Sequence, residues 1–163
     1  MTNLIISRTC NQSCSYCFAS GESAGPQPEF MSLETFERCL DFLDRSGIQQ
    51  ARFLGGEPTL HPQFAEFVGR ARARGKSIIV FTNGLMPAPA LEALDALPPE
   101  QCGIVMNVST IGKSGMLAPL SSQRRAALQR LGQKAQPGCN LYRPDFDIDW
   151  IIDLVAETGC KRA

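Results

Sequence analysis

Short apolar runs alternate with helical patterns along this chain of 163 residues. Between the runs, apolar residues recur every three or four positions, as they do on one face of a helix. Gly and Pro residues separate the segments. The pattern predicts five consecutive β-α units. The strands are expected at 4–6, 51–54, 77–81, 103–109 and, as a short CNLY run, 139–142; the helices are expected after the N-cap Ser32, from Pro62 to Gly75, around 91–97, at about 122–135 and at about 147–158.

The strands are predicted from apolar runs of the kind found in parallel strands buried on both faces. Parallel strands joined by helices require right-handed crossovers. We therefore expect an α/β fold, a partial (β/α) TIM-like barrel with its strands in sequential order, although an open doubly wound sheet fits the same pattern. In both architectures the functional groups belong at the carboxyl ends of the strands.

The last residues, Cys160 to Ala163, stand where a sixth strand should begin. This favours one domain over residues 1–163 that is incomplete at its C-terminus, either truncated or completed by a partner. A frayed natural C-terminus is the alternative.

Composition narrows the functional class. The chain has 16 basic and 16 acidic residues, so no excess of one charge favours nucleic acid or a membrane surface as a partner. The N-terminus lacks the basic and apolar regions of a signal peptide, and no apolar stretch reaches the roughly 18 residues that a membrane span needs. These features predict a cytoplasmic protein.

The seven cysteines are unevenly distributed. In a reducing compartment they indicate metal binding or catalysis before a disulfide framework. Cys39, Cys102, Cys139 and Cys160 occur singly and are expected to be small buried hydrophobic residues. The other three crowd one loop, CNQSCSYCF, as Cys10, Cys14 and Cys17.

Three thiolates on one loop suit an iron–sulfur cluster better than structural zinc. Zinc wants four ligands, usually in paired short spacings, and this chain has no second Cys-x-x-Cys. The single histidine, His61, is interpreted as a residue at a helix start. A cubane cluster held by three cysteines leaves one iron open to a substrate or cofactor. A zinc site remains the alternative.

The motifs resemble those of a known family. CNQSCSYCF, with its C-x3-C-x2-C spacing and an aromatic residue before the last cysteine, resembles the signature loop of the radical S-adenosylmethionine (radical SAM) superfamily. GGEP at 55–58 is similar to that family's glycine-rich SAM-binding motif, and TNG at 82–84 to a recurring ending of its third strand. The order and the strand context of the three motifs agree with the family.

The resemblance implies a [4Fe-4S] cluster and SAM as cofactors. SAM would chelate the open iron, and one electron would cleave its sulfonium to give methionine and a 5′-deoxyadenosyl radical, which abstracts hydrogen from a substrate. The resemblance also implies an electron donor such as a flavodoxin or ferredoxin. A non-catalytic iron–sulfur or zinc-binding module is the competing hypothesis.

The resemblance assigns roles to individual residues, and it implies no catalytic side chain beyond the cluster and SAM. Cys10, Cys14 and Cys17 would bind the cluster. Gly55 and Gly56 would let the backbone approach SAM, Glu57 would pair with its ammonium group and Pro58 would fix the turn. Further SAM contacts are expected from Tyr16 near the adenine and from Asn83, Asn107, Ser109 and, more weakly, Arg143.

Two further inferences concern substrate and a misleading motif. CNQSCSYCFAS and GGEPTLHP resemble family members that modify peptides or proteins, which makes a peptide the first expectation for the substrate. NVSTIGKS at 107–114 approaches a Walker A loop, but Asn107 stands where a glycine is needed. Lys113 is therefore expected to be a solvated loop lysine.

Overall fold

The computed structural model describes residues 2–14, 16–17, 29–109, 120–140 and 149–160. Within these ranges five strands alternate with five helices. The strands are β1 (Leu4–Ser7), β2 (Gln50–Gly55), β3 (Ser77–Thr82), β4 (Cys102–Asn107) and β5 (Ala135–Gly138), and the helices are α1 (Leu33–Arg45), α2 (Phe64–Ala73), α3 (Ala88–Asp95), α4 (Ser122–Leu131) and α5 (Asp149–Thr158). Short 3₁₀ helices cover Pro58–Leu60, Pro99–Gln101 and Gly132–Lys134.

The strands form one parallel sheet in the order β1-β2-β3-β4-β5. Leu4 lies opposite Phe53, and Val80 lies opposite both Phe53 and Ile104. The α/β fold with five sequential β-α units is thus confirmed. In the part of the chain that the structure describes, β1 and β5 do not pair with each other, so these five strands form an open sheet.

The helices lie on one side of this sheet. Each helix contacts the next one along the chain. This arrangement is expected when the strands are in sequential order and every crossover is right-handed. Strand side chains alternate accordingly: Ile78 and Val80 are buried beneath the helices, whereas Ile79 and Phe81 on the opposite face are half-buried. Four buried phenylalanines, Phe36, Phe53, Phe64 and Phe67, form the aromatic part of the core.

Helix α1 begins as the sequence predicts. The Ser32 hydroxyl accepts a hydrogen bond from the Thr35 amide at 3.2 Å, which satisfies one of the unpaired N–H groups of the first turn. Helix α2 begins at Phe64, two residues after Pro62, and Pro62 itself lies in a turn.

Strand five is where the sequence prediction is wrong. The fifth strand is Ala135–Gly138 and not CNLY at 139–142, of which 141–142 lie outside the described residues. Helix α4 ends at Leu131 because Gly132 adopts a φ of 50° and begins a 3₁₀ turn. The sequence AQPG has no apolar run to mark it. Pro137 is tolerated because β5 pairs with β4 alone among the described strands, which leaves its other edge free.

No helix in the described ranges is both long enough and apolar enough to cross a membrane.

Gly55 sets the distance between β1 and β2. A Cβ atom on this glycine would lie 2.0 Å from the Ser7 carbonyl oxygen, and the backbone φ of 155° is one that other residues rarely adopt. Only a residue without a side chain therefore lets the end of β2 pack against the end of β1.

Replacing Gly55 by alanine should lower the free energy of unfolding by about 2–4 kcal/mol, because the backbone of β1 must move to relieve the overlap. Urea denaturation of the apoprotein measures this. Gly69→Ala is the matched control: no atom lies within 4 Å of its added Cβ, and it should stabilise α2 by about 0.5–1 kcal/mol. Equal stability of Gly55→Ala and the wild type would contradict the close approach.

Candidate functional site

The carboxyl ends of the strands surround a cavity of about 910 Å³. Each strand or the segment after it contributes to the wall, as expected for a parallel sheet. The cavity is lined by Cys10, Gln12, Ser13, Cys14, Tyr16 and Cys17 after β1, Leu54, Gly55 and Gly56 at β2, Phe81, Thr82 and Asn83 at β3, Val105 and Asn107 on β4, and Gly138, Cys139 and Asn140 at β5.

The cysteine loop presents three free, half-buried thiols to this cavity, those of Cys10, Cys14 and Cys17. Among the residues whose placement is described, no three His, Cys, Asp or Glu side chains are grouped as ligands of one metal ion. In a cubane each thiolate binds a different iron, so three separate thiols on one cavity are donors that fit a four-iron cluster.

The electrostatic environment of Cys10 keeps the apoprotein thiol protonated. Burial raises the pKa of Cys10 above its ordinary value, a hydrogen bond from the Gln12 backbone opposes this shift, and the nearby charge of Glu57 adds to it. Binding to iron favours the thiolate despite these effects, so ligation at this position would release a proton.

The glycines of GGEP bring β2 against the chain that leads into the cysteine loop. The Gly56 amide donates to the Ser7 carbonyl, and the Glu57 amide donates to the Thr9 carbonyl, both at 2.8 Å. A Cβ on Gly56 would lie 2.6 Å from the Thr9 oxygen. The close approach seen here is thus to β1, and the expected approach to SAM stays a prediction.

The carboxylate of Glu57, expected to pair with SAM, already accepts hydrogen bonds within the protein. Its side chain is 0% exposed and does not line the cavity. Oε1 accepts from the Thr59 amide (3.1 Å), the Thr59 hydroxyl (2.6 Å) and the Thr82 hydroxyl (2.8 Å), and Oε2 accepts from the Asn83 amide (2.7 Å). With both oxygens engaged, Glu57 joins the end of β2 to the end of β3, and its expected pairing with the ammonium group of SAM stays a prediction.

Pro58 also lies behind the cavity wall. It is buried and begins the 3₁₀ helix that Glu57 caps, which agrees with its expected role in fixing the turn. His61, at the end of that helix, has both ring nitrogens engaged: Nδ1 accepts from the Gln63 amide, and Nε2 lies 2.9 Å from the Met31 carbonyl.

Tyr16 joins the cysteine loop to the end of β4. Its hydroxyl donates to the Ser109 carbonyl at 3.0 Å and accepts from Asn107 Nδ2 at 2.9 Å. Asn107 is the last residue of β4, which ends two residues earlier than predicted, and Asn107 Oδ1 accepts from the Ser109 amide. The structure thus brings Tyr16, Asn107 and Ser109 together. Arg143 and Lys113 lie outside the described residues.

Cys139 is a cavity residue that the sequence analysis assigned to the core. It is half-buried at the end of β5, and the Ser109 hydroxyl lies 3.1 Å from its sulfur. The other single cysteines follow the expectation more closely: Cys102 and Cys160 are buried, and Cys39 is half-buried.

Arg124 is a second residue that the sequence analysis missed. It is 2% exposed, and its Nε has no hydrogen-bond partner in the described part of the chain. Burial lowers the pKa of Arg124 from its ordinary value, while the charges of Cys14, Tyr16 and Glu57 raise it, so the guanidinium lies within electrostatic range of the cavity. A signal existed in the sequence: Arg124 shares the apolar face of α4 with Ala127, Leu128 and Leu131.

Comparison with models of protein families identifies the superfamily of this chain. Residues 4–125 match the model of the Radical SAM superfamily. The chain belongs to the radical SAM superfamily. This match covers β1 to the start of α4, including the cysteine loop, GGEP and TNG. The cofactors of this radical SAM chain are therefore a [4Fe-4S] cluster and SAM.

Three curated relatives illustrate the range of the superfamily. The chain is 38% identical over 100 residues to an S-adenosylmethionine-dependent nucleotide dehydratase of Selenomonas ruminantium, and 37% identical over 86 residues to a probable GTP 3′,8-cyclase of Pyrococcus horikoshii. It is 37% identical over 82 residues to the sporulation killing factor maturation protein SkfB of Bacillus subtilis. The alignments cover 60%, 52% and 50% of this chain but only 33%, 27% and 20% of the relatives.

Solved structures support the fold. Streptococcus suis SuiB bound to the precursor peptide SuiA aligns with a TM-score of 0.77 at 17% identity, over 96% of this chain and 36% of SuiB. At this identity the likeness shows a shared fold. This radical SAM chain thus spans about a third or less of the length of each of these four proteins.

Because Glu57 is buried, the free energy of unfolding is expected to depend on pH. Burial raises the pKa of Glu57 above the ordinary value of 4.5, against the hydrogen bonds from Thr59, Asn83 and Thr82. The stability that Glu57 contributes is therefore complete below the unfolded-state pKa and is lost as pH rises through the folded-state value. The difference in unfolding free energy between wild type and Glu57→Gln should be largest in acid and should shrink towards neutral pH.

Urea denaturation of both proteins over this range is the measurement, with Glu66→Gln as control. Glu66 is exposed and its pKa is lowered by Arg70, so its contribution is present above the unfolded-state pKa and is lost in acid. The Glu66→Gln difference should therefore grow as pH rises. A Glu57→Gln difference that also grew would contradict the account of Glu57.

Proposed function

We propose that Cys10, Cys14 and Cys17 bind the [4Fe-4S] cluster and that the adjoining cavity binds SAM. The observation that carries this proposal is the location of three free thiols and the ends of the neighbouring strands on one cavity. When bound, the cluster supplies one electron that cleaves SAM to methionine and a 5′-deoxyadenosyl radical, which abstracts hydrogen from a substrate.

Each element around the cavity has a part in binding SAM under this proposal. Gly55 and Gly56 offer backbone groups without side chains. Tyr16 and Asn107 form the wall on the β4 side, and Ser109 lies behind them, hydrogen-bonded to both. Asn83 completes the polar rim, and Glu57 and Pro58 hold the GGEP turn from behind. Leu54, Phe81 and Val105 supply an apolar floor that excludes water from a reactive radical.

Arg124 is the group that we propose to neutralise an anion here. Its guanidinium is buried behind the residues that line the cavity, and its Nε lacks a partner among the described residues. The pKa of Arg124 responds to Cys14 and Tyr16, which line the cavity, so its charge acts across the wall. We propose that this charge attracts the carboxylate of SAM without a direct contact.

A one-electron donor such as a flavodoxin or ferredoxin is the partner that this chemistry requires. An oxygen-sensitive cluster and seven free cysteines suit the reducing environment of the cytoplasm.

For the substrate we propose a peptide or protein. The likeness in sequence to SkfB, a maturation protein, and the likeness in fold to the peptide-bound SuiB support this choice. A nucleotide is the second candidate, because the nucleotide dehydratase and the GTP cyclase are matched at the same level of identity.

The proposal predicts that the reconstituted chain, given dithionite and SAM without oxygen, forms 5′-deoxyadenosine and methionine in equal amounts. Alanine at Cys10, Cys14 or Cys17 should abolish both the visible absorbance of the cluster and this product, because each thiolate binds a different iron. Cys39→Ala, which alters a half-buried thiol on α1, is the control and should retain both.

Two other outcomes are informative in the same assay. A full cluster without 5′-deoxyadenosine would favour a non-catalytic iron–sulfur module, and zinc bound to the native protein would favour a zinc site. A several-fold rise in product with one ribonucleoside triphosphate would favour the nucleotide over the peptide.

Arg124→Met should weaken SAM binding by about 10- to 100-fold, because the attraction of a buried cation for the SAM carboxylate is lost. The apoprotein should be as stable as wild type or more stable, because a buried cation whose Nε has no partner in the described part of the chain is removed. Anaerobic equilibrium dialysis and urea denaturation measure the two effects. Arg125→Met, at an exposed arginine paired with Glu157, is the control, and unchanged SAM affinity in Arg124→Met would contradict the role.

A further inference from the structure

Asn83 places an amide group against the sulfur of Cys10. Its side chain is largely buried, with 8% of its surface exposed, at the end of β3. Nδ2 lies 2.7 Å from Asn11 Oδ1 and 3.8 Å from Cys10 Sγ, within the range of an N–H···S hydrogen bond. A residue from the third strand therefore contacts a thiol that the first loop supplies.

The hydrogen bonds around Asn83 fix the direction of its amide. Oδ1 accepts from the Leu85 amide at 2.8 Å, so the NH₂ group must point the other way. Asn11 Nδ2 donates to the Leu85 carbonyl at 3.0 Å, which leaves Asn11 Oδ1 as an acceptor for Asn83. One N–H of Asn83 is used on Asn11, and the second remains for the sulfur.

The backbone of Asn83 is equally constrained. Its amide donates to Glu57 Oε2 at 2.7 Å, and this carboxylate has no exposed surface. The Asn83 donor is thus held by a buried group on β2, by Leu85 on its own turn and by Asn11 on the cysteine loop.

We propose that Asn83 is a positioning residue that holds an N–H group on the Cys10 sulfur and raises the reduction potential of the cluster. This inference rests on the proposed ligation of the cluster by Cys10. A hydrogen bond to a ligating sulfur stabilises the reduced cluster more than the oxidised one, because reduction adds negative charge to the iron–sulfur unit. The charge of Glu57, behind Asn83, acts in the opposite direction.

The test is a redox titration of the reconstituted cluster without SAM, followed by electron paramagnetic resonance. Asn83→Leu removes the donor without adding charge and should shift the midpoint potential to a more negative value. Asn83→Asp keeps the acceptor for Leu85 but replaces the donor by a negative charge, so its shift should be larger in the same direction.

Asn11→Ala is the matched control. It removes one of the groups that hold Asn83 while leaving the Asn83 donor, Glu57 and Leu85 in place, so its shift should be clearly smaller than that of Asn83→Leu. A wild-type potential in both Asn83 variants would overturn the inference, and so would a shift in Asn11→Ala as large as in Asn83→Leu. Where only Asn83→Asp folds, a potential equal to that of wild type overturns it as well.

Failure of this inference differs from failure of the proposed function. If wild type forms no cluster, or forms one that survives alanine at Cys10, the ligand assignment itself is wrong. If wild type and Asn11→Ala form the cluster while both Asn83 variants lose it, Asn83 acts in assembly, and its role in setting the potential is rejected.

Discussion

The buried carboxylate of Glu57 is the interaction on which the arrangement of the site depends. Burying it costs free energy, which is offset by hydrogen bonds from Thr59, Thr82 and Asn83. The two oxygens of Glu57 lie on the turn after β2, and two of their donors, Thr82 and Asn83, lie at the end of β3. The relative position of these two strand ends is therefore fixed by one side chain.

From this carboxylate the constraint extends to the cysteine loop by two routes. Through the backbone, Gly56 and Glu57 donate to Ser7 and Thr9, which immediately precede Cys10. The second route runs through Asn83. Its backbone amide donates to the carboxylate of Glu57, and its side-chain amide contacts Asn11 and Cys10. Both routes hold the loop without a ligand, and such preorganisation would lower the cost of binding the cluster and SAM that we propose for this cavity.

The sequence predicts those parts of the structure that leave a local signal. Strands β1 to β4 carry largely apolar runs, and the spacing of Cys10, Cys14 and Cys17 can be read from the sequence alone. Strand β5 is missed because AQPG derives its pairing from β4 and not from its own side chains.

Other features depend on contacts between distant segments. The partners of Glu57 on β3 are 25 and 26 residues away, so only the folded sheet shows that its carboxylate is already engaged. The same holds for Cys139, which reaches the cavity because β5 lies beside β4. Arg124 is intermediate, since a charged residue on an otherwise apolar helix face is visible in the sequence but its unpaired Nε is not.

We propose that three cysteines leave one iron of the cluster open to SAM in this cavity. Electron–nuclear double resonance on the reduced protein, with SAM labelled with ¹⁵N at its amino group, tests this arrangement. We expect a ¹⁵N hyperfine coupling that is present in wild type and in Cys39→Ala. A reduced cluster that binds labelled SAM without any such coupling would contradict it.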